Sequence, residues 1–328
     1  MNVNEMKQLI KELITKDDVK YAIGYEKGTY GARTRPSFAF KPEDVDKFIF
    51  NPLCVSNLAV YLTKEEKLPL PRGQTAEKKK IIILVKGCDS RSIVKLLQEK
   101  GIERDELIIF GITCAGVIDL KKLKRKLKGI TQVDDVLEKN GKYIIQTGNK
   151  SIEIPKDEII ANKCITCEHP NPVIYDHLIG KKIKDIKKED YSLIKEIEDM
   201  SQEERWDFWK EQFTECIRCY ACQNICPLCY CKVCKAIDLA PQWIRRSVNT
   251  SENTAYHIMR AFHLAGRCIA CGECERACPK GIPLIKLYKK LEKEVKCIFG
   301  YVPGINMEDK PLMSFFQPED EKIDKDIM

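Results

Sequence analysis

Hydrophobic and polar positions near the start of the chain follow two different periods. Residues 6–14 place apolar side chains at helical spacing, which predicts a short amphipathic helix. A glycine-punctuated, strand-like stretch follows and predicts a hairpin. Acidic residues after Pro42 indicate a helix start, and the pattern predicts a helix from there to Lys64, interrupted at Asn51-Pro52.

The next stretch has the pattern of a strand, a helix and a second strand. Residues 81–85 and 107–110 are continuously apolar, and residues 90–100 between them have helical spacing. A unit of this kind predicts two parallel strands. Cys88 follows the first strand and Cys114 follows the second, so both should lie at the carboxyl rim of the sheet, where such folds bind ligands.

The segment up to about residue 205 is more polar. Residues 143–146 and 152–154 predict a small hairpin, and the charged residues 181–205 predict a linker or an exposed helix. We place a domain boundary near residue 200.

The remainder of the chain is mainly helical in pattern. One broad apolar face is predicted from Ala255, Ile258, Met259, Phe262, Leu264 and Ala265. The fold class predicted is an α/β N-terminal domain with a partly parallel sheet (1–200), an all-α C-terminal domain (201–300) and a surface tail (301–328).

Two cysteine runs stand out in the second half. They are Cys216-x-x-Cys219-x-x-Cys222-x-x-x-Cys226-Pro227 and Cys268-x-x-Cys271-x-x-Cys274-x-x-x-Cys278-Pro279. Each has the spacing by which bacterial-type ferredoxins hold a cubane cluster, with three close thiolates and a fourth that binds the other cluster of the pair. The sequence therefore predicts two 4Fe-4S clusters and one-electron chemistry.

About forty residues separate the two runs, and much of this stretch is helical in pattern. The arrangement resembles the alpha-helical ferredoxins of succinate dehydrogenase iron–sulfur subunits and heterodisulfide reductase small subunits. The resemblance implies two crossed ligand sets, which are Cys216, Cys219, Cys222 and Cys278 for one cluster, and Cys268, Cys271, Cys274 and Cys226 for the other.

Further thiols follow the first run directly. Cys229, Cys231 and Cys234 indicate either a further metal site, completed by a remote residue such as Cys297 or a histidine, or an alternative ligand set or small buried residues.

Arginines and histidines near the predicted ligands are expected to have ordinary structural roles. Arg218 and Arg267 are interpreted as ordinary surface arginines rather than residues that tune a cluster or dock a partner, and His257 and His263 as packing or surface residues rather than ligands.

The first domain has cysteines of its own. Cys88, Cys114, Cys164 and Cys167 are candidates for a third 4Fe-4S cluster, with a zinc site or no metal as alternatives. Cys54 is interpreted as a buried structural thiol.

Three segments of the first domain carry a family resemblance. Residues 87–91 (GCDSR), residues 113–119 (TCAGVID) and Cys164-x-x-Cys167 resemble the beta-subunit family of coenzyme-reducing hydrogenases and formate dehydrogenases. The resemblance covers most of the chain, although the dicluster domain is C-terminal here. It implies an electron-transfer subunit with 4Fe-4S clusters that accepts electrons from a catalytic partner or interacts with a deazaflavin coenzyme. Several members of the family also bind FAD.

The sequence supports a flavin site less strongly than it supports the cluster sites. The glycine-rich segment of the first domain is Gly24-x-x-x-Gly28-x-x-Gly31, and it lacks the strand-to-helix context of a phosphate loop. FAD is therefore retained as a possible cofactor that would convert between hydride and single-electron chemistry.

The composition and charge of the chain argue against a nucleic-acid-binding, membrane-spanning or secreted protein. The 328 residues contain 17 cysteines and carry a formal charge of +7, which cluster-bound thiolates would largely cancel. The basic run 121–128 is predicted to be a solvated helix, and we expect no nucleic-acid partner. No apolar stretch approaches the length of a membrane span and no signal peptide is recognised, so a cytoplasmic location is expected.

These observations predict an iron–sulfur electron-transfer subunit of a larger oxidoreductase, associated with catalytic and other electron-transfer subunits. The alternative is a flavin-containing oxidoreductase that acts directly on a deazaflavin or nicotinamide coenzyme. A third interpretation is a docking scaffold whose cysteines bind only zinc.

Overall fold

The computed structural model describes residues 2–63, 78–127, 132–184, 190–234, 237–238 and 240–312. Within them the strands are β1 (Val19–Lys27), β2 (Thr34–Ala39), β3 (Lys80–Val85), β4 (Leu107–Ile112), β5 (Asp135–Lys139), β6 (Lys142–Thr147), β7 (Lys150–Pro155) and β8 (His177–Ile179). The α-helices are α1 (Val3–Ile14), α2 (Gly87–Gln98), α3 (Leu120–Lys126), α4 (Lys156–Ile159), α5 (Asn162–Ile165), α6 (Ser192–Asp199), α7 (Gln202–Thr214), α8 (Ala221–Asn224), α9 (Thr250–His263), α10 (Glu273–Ala277) and α11 (Leu284–Phe299). Short 3-10 helices cover Pro42–Lys47, Leu58–Leu62 and Arg104–Glu106.

A mixed sheet of five strands organises the first half, in the order β2-β1-β3-β4-β8. Strands β1, β3, β4 and β8 are parallel, and β2 pairs antiparallel with β1. The predicted strand–helix–strand unit is confirmed, because Ile81 pairs with Leu107 and Val85 with Gly111 in parallel register. The predicted N-terminal hairpin is β1 with β2, and the predicted amphipathic helix is α1, which buries Met6, Ile10 and Ile14 in the same core.

A separate antiparallel sheet contains β5, β6 and β7. The hairpin predicted around Gly148 is β6 with β7, and β5 is an additional strand. The basic helix α3 packs on this sheet through Leu123, which is buried with Tyr143 and Ile145. The helix prediction for the basic run is thereby confirmed up to Lys126, Leu127 is the C-cap, and Lys128 lies outside the described residues.

The helix predicted from Pro42 to Lys64 is wrong. Only its two ends are helical, and Lys64 itself lies outside the described residues. Between them the chain follows the sheet instead, because Ile49 N–H donates to the carbonyl of Tyr25 at 2.8 Å and the carbonyl of Pro52 accepts from Ile118 at 2.9 Å. Tertiary hydrogen bonds with remote segments therefore override the local helical pattern.

The second half is helical, from α6 to α11, which confirms the fold class predicted for the chain. The charged segment contains α6 and the start of α7, while residues 185–189 lie outside the described part. Helix α2 of the first half links the two halves. Arg91 donates to the carbonyls of Ile269 and Pro303 at 3.3 Å and 2.8 Å, and Leu96 is buried in the second core. The boundary near residue 200 stays a prediction.

The predicted surface tail is described only up to residue 312, and residues 313–328 lie outside the described part. Its first residues pack on α2, where Pro303 accepts the guanidinium of Arg91 and Gln98 donates to Asn306. None of the described helices is long and apolar enough to cross a membrane.

Candidate metal centres

The first cysteine run and the last cysteine of the second run meet at one small cavity. Cys216, Cys219, Cys222 and Cys278 all line it. Cys216, Cys222 and Cys278 are buried, whereas Cys219 is exposed at the protein surface. The structure therefore brings together the four residues of the first predicted ligand set, including the crossed ligand from the second run.

The two runs have the same backbone conformation after their first cysteine. Arg218 and Ala270 adopt left-handed φ values of 54° and 52°, and Tyr220 and Gly272 adopt 58° and 67°. The amide groups turn inward as a result. Arg218 N–H reaches Cys216 Sγ at 3.4 Å, and Ala270 N–H reaches Cys268 Sγ at 3.4 Å. Loops with inward-facing amides stabilise anionic sulfur sites.

The second predicted ligand set also lies together. Cys226, Cys268, Cys271 and Cys274 share one core with the apolar residues of α9 and α11. Burial, followed by the neighbouring Cys271, raises the pKa of Cys268 to about 12. Burial likewise raises the pKa of Cys274, with Cys268 and Cys271 adding to the effect.

The apolar face predicted for α9 is wrong in part: Leu264 is buried and Met259 packs on the core, but the helix contacts the first run with a polar face. Ile258 and Phe262 are exposed, while Asn253, His257 and Arg260 are buried. Asn253 Nδ2 donates to the carbonyls of Phe213 and Cys216 at 2.9 Å and 2.8 Å, and Arg260 donates to the carbonyl of Cys222 at 2.9 Å. The irregular cysteine loop leaves carbonyl groups without partners, and this helix supplies the donors.

His257 was predicted to be a packing or surface residue, and it is buried in contact with a candidate ligand. Its Nε2 lies 3.3 Å from Cys216 Sγ, and its ring stacks on Phe213 with centroids 4.7 Å apart. Burial, followed by the charges of Arg260 and Arg218, lowers its pKa to about 3, which keeps the ring neutral. His263 on the same helix is exposed.

Both arginines beside the runs are corrected from surface residues to internal contacts. Arg218 is buried and donates to the carbonyls of Glu252 and Arg245 at 2.8 Å and 3.0 Å. Arg267 forms a bidentate ion pair with Glu99 of the first half, at 2.8 Å and 2.7 Å. Their roles depend on segments 27 to 168 residues away in the sequence, so local pattern could not reveal them.

Four of the five cysteines of the first half, Cys88, Cys114, Cys164 and Cys167, line one larger cavity of about 270 Å³. Cys88 is the second residue of α2, just after β3, and Cys114 follows β4, as the topology of the sheet predicted. Cys164 lies in α5 and Cys167 follows it. Cys271 of the second run lines the same cavity, so the first-half cysteines lie beside the second candidate cluster site.

Among the lysines that line this cavity, Lys86 and Lys163 lie close to its cysteines, with at most 10% of their side chains exposed, and sequence reasoning missed both. Lys86 Nζ lies 3.0 Å from Asp89 and donates to the carbonyl of Ser56 at 2.8 Å. It also contacts the hydroxyl of Tyr25. Lys163 Nζ lies 3.3 Å from Glu273. A signal was present, because Lys86 ends an apolar strand two residues before a cysteine and Lys163 precedes Cys164.

Cys54 lies apart from these sites. It is fully buried in the core of the five-stranded sheet, and burial raises its pKa to about 11. The prediction of a buried thiol is confirmed.

The three thiols after the first run are spread between interior and surface. Cys229 and Cys234 are half-buried and Cys231 is exposed. A hydrogen bond with Cys226 lowers the pKa of Cys229 to about 6. Within the described residues, no group of three or more His, Cys, Asp or Glu side chains is arranged to hold a single metal ion. A metal site at these cysteines stays a prediction.

Gly24, from the segment considered for a flavin phosphate, and Gly87, at the junction of β3 and α2, both have packing roles. Gly24 lies within β1, and a Cβ atom there would be 2.8 Å from the ring of Phe48. Gly87 stands at the strand-to-helix junction where a phosphate would bind, but its Cβ position is 1.9 Å from the carbonyl oxygen of His169. Neither position offers an open cradle for a phosphate, and FAD binding stays a prediction.

Comparisons with known proteins agree with this arrangement. A family model described as a 4Fe-4S dicluster domain matches residues 215–283, which contain both cysteine runs. A beta subunit of F420-dependent formate dehydrogenase from Methanocaldococcus jannaschii is 26% identical over 293 residues, covering 72% of this chain and 76% of the relative. The beta subunit of F420-dependent formate dehydrogenase 1 from Methanococcus maripaludis is 24% identical over 365 residues, covering 93% of this chain and 91% of the relative.

A solved structure is also similar in part. It is titled as a xenon derivatization of the F420-reducing [NiFe] hydrogenase complex from Methanosarcina barkeri, with a TM-score of 0.39 and 14% identity over 50% of this chain and 59% of that chain. The two curated relatives and the family model confirm the resemblance expected from the sequence.

Proposed function

We propose that this chain is an iron–sulfur electron-transfer subunit of an oxidoreductase complex and that it holds three 4Fe-4S clusters. The cavity shared by the first-half cysteines and Cys271 carries this proposal, because it puts a third thiolate set next to the dicluster domain. Two relatives that match most of the chain are named as beta subunits of a formate dehydrogenase.

Three cysteine sets would hold the clusters. They are Cys216, Cys219, Cys222 and Cys278; Cys268, Cys271, Cys274 and Cys226; and Cys88, Cys114, Cys164 and Cys167. When bound, 4Fe-4S clusters accept and release single electrons. The protein fixes the spacing of the sets and places charges and donors near their sulfurs.

The buried lysines support an anionic group in the first-half cavity. A buried ammonium group is costly unless an opposite charge lies close to it. Asp89 faces Lys86 and Glu273 faces Lys163, and the same ammonium groups lie close enough to influence the thiols of Cys88, Cys114 and Cys164. A cluster bound by four thiolates would add negative charge at this position and would be stabilised by both cations.

The contacts between the two halves support a rigid spacing of the sites. The side chain of Lys163 lies against Gly272, within 3.0 Å of the position that a Cβ atom would take. The Arg267–Glu99 ion pair and the Arg91 hydrogen bonds join α2 to the second run. Electron transfer between neighbouring sites requires a short distance, and these contacts hold the third set beside the second.

The exposed Cys219 suggests where electrons leave or enter the chain. It is the exposed member of the first ligand set, so the corresponding cluster would lie near the surface. Catalytic and further electron-transfer subunits are proposed as partners, and a cytoplasmic location is proposed with them. The names of the two relatives describe those proteins as subunits of F420-dependent enzymes.

Iron and acid-labile sulfide per chain, measured on protein purified without oxygen, test the proposal. Three cubanes require about twelve of each. Cys164→Ala should retain about eight, and the matched control Cys297→Ala, at an exposed cysteine outside the three sets, should retain twelve.

A wild-type value near eight would confine the clusters to the C-terminal half and overturn the third site. Zinc in place of iron would favour the scaffold interpretation. One flavin released per chain on denaturation would favour the alternative, an oxidoreductase that acts directly on a coenzyme.

A further inference from the structure

His257 occupies an unusual position for a histidine without an assigned function. Its ring is buried, with 1% of its surface exposed, between Phe213 and Tyr256. Nε2 lies 3.3 Å from Cys216 Sγ, and Nδ1 has no hydrogen-bond partner among the described residues. The contact joins residues 41 positions apart, so it is a product of the tertiary structure.

The chemistry of the sulfur determines which ring nitrogen carries the proton. A thiolate bound to iron has lone pairs and no proton, so it can only accept a hydrogen bond. A neutral imidazole has one N–H group, and the atom that faces Cys216 is Nε2. With Cys216 bound to iron, the proton would reside on Nε2 and Nδ1 would keep a bare lone pair, consistent with its lack of a hydrogen-bond partner among the described residues.

We propose that His257 donates this hydrogen bond to the Cys216 thiolate and raises the reduction potential of the cluster at Cys216, Cys219, Cys222 and Cys278. The inference rests on the proposed function, since it requires a cluster at this site. Donors to cluster sulfurs stabilise the reduced, more negative state. His257 acts through the ligand, so it is a positioning residue.

The surrounding contacts keep the donor in place. The imidazole is stacked on Phe213 with an interplanar angle of 9°, and one helical turn earlier Asn253 holds the carbonyl of Cys216 at 2.8 Å. The ring and the cysteine are therefore fixed relative to each other by two separate interactions. A donor fixed in advance does not have to reorganise when the charge on the sulfur changes.

The second run lacks this donor at the corresponding cysteine. Cys268 accepts the backbone N–H of Ala270 at 3.4 Å, as Cys216 accepts that of Arg218. In the described part of the chain, no side-chain N–H adds to the bond at Cys268. Cys216 and Cys268 thus differ by one side-chain contact, and the effect of His257 should be confined to the cluster at Cys216.

Potentiometric titration followed by EPR, on the anaerobically purified full chain, tests the inference. His257→Phe keeps an aromatic ring between Phe213 and Tyr256 but removes the N–H group. The reduction potential of one cluster should then fall. At a fixed applied potential, its ratio of reduced to oxidised form should drop about tenfold, which corresponds to a shift of about 59 mV. His257→Gln, which retains an N–H donor, should recover part of the shift.

His263→Phe is the matched control, since it makes the same change on the exposed side of the same helix. It should leave every component at its wild-type potential. Iron and sulfide are measured on each variant.

The inference is overturned if His257→Phe keeps the wild-type iron content and every component keeps its potential. It is also overturned if both His257 variants lose iron while His263→Phe retains it, because the role is then structural. Wild-type protein with fewer than eight irons would instead count against the proposed function itself.

Discussion

Replacing Glu273 with glutamine should destabilise the contact between the two halves of the chain. Glu273 is fully buried, and its carboxylate lies 3.3 Å from Lys163 and 2.7 Å from Arg276. Burial raises the pKa of this carboxyl, but the charges of Lys163 and Arg276 outweigh the effect and lower it, so the group is ionised. Glu273→Gln keeps the shape of the side chain and leaves the Lys163 ammonium without its countercharge.

The magnitude follows from the burial of the pair. Removing one partner of a buried ion pair costs about 3–5 kcal/mol. With an unfolding entropy of about 2.1 cal/mol/K per residue, a chain of 328 residues should lose roughly 4–7 °C in its unfolding midpoint.

Differential scanning calorimetry under argon, at one fixed scan rate, measures this shift. Glu215→Gln is the control, since Glu215 also lies beside a cysteine of the dicluster domain but pairs with Lys280 at the surface, and its midpoint should not change. If the midpoints of Glu273→Gln and Glu215→Gln coincide, the buried pair does not stabilise the fold as reasoned here.

Three further outcomes are expected. The charge and hydrogen bonds of its arginine partner overcome the effect of burial and lower the pKa of Glu99. Its contribution to stability should therefore be complete above its unfolded pKa of about 4.3 and lost as pH falls through the lower folded value. Midpoints of wild type and Glu99→Gln, measured from pH 7 down to a pH below that folded value, should converge at the acid end. Iodoacetamide at pH 8 should label the exposed Cys297 before Cys54, whose pKa is raised to about 11 by burial, as peptide mass spectrometry would detect. Gly87→Ala should lose about four irons per chain, because its Cβ must displace the carbonyl of His169, which lies 1.9 Å from that position.

Each of these has an outcome that would contradict it. A constant difference between wild type and Glu99→Gln across the pH range would mean that the carboxylate is not the titrating group. Equal labelling of the two cysteines would place Cys54 at the surface. Gly101→Ala is the control for the glycine variant, since its nearest contact is at 3.4 Å, and an equal loss of iron in both would remove the steric explanation.

Local pattern was sufficient where a segment carries its own signal. The apolar run of β3 and the helical spacing of α1 each predict an element from the residues within it, and both elements are present. The cysteine spacing was equally informative, because loops that hold clusters need thiolates at short fixed intervals, and the matching family model covers both runs.

Local pattern failed where remote segments supply the hydrogen bonds. Helix α9 was expected to bury Ile258 and Phe262, yet both are exposed and it buries Asn253 and Arg260, because the carbonyl groups of the cysteine loop need donors. Residues 48–57 follow the sheet rather than a helix for the same reason, since Ile49 bonds to β1. Neither set of partners can be recognised from the segment alone.

The sequence by itself determined the class of chemistry, the approximate number of elements and the residues most suited to bind iron, since spacing, apolar period and residue type are local properties. Only the tertiary structure decided that the first-half cysteines lie beside Cys271, that Lys86 and Lys163 face the same cavity, and that His257 lies against Cys216. These contacts bring together residues up to nearly 200 positions apart in the sequence. They depend on how the sheet and helices pack, and this packing cannot be deduced from the periodicity of any one segment.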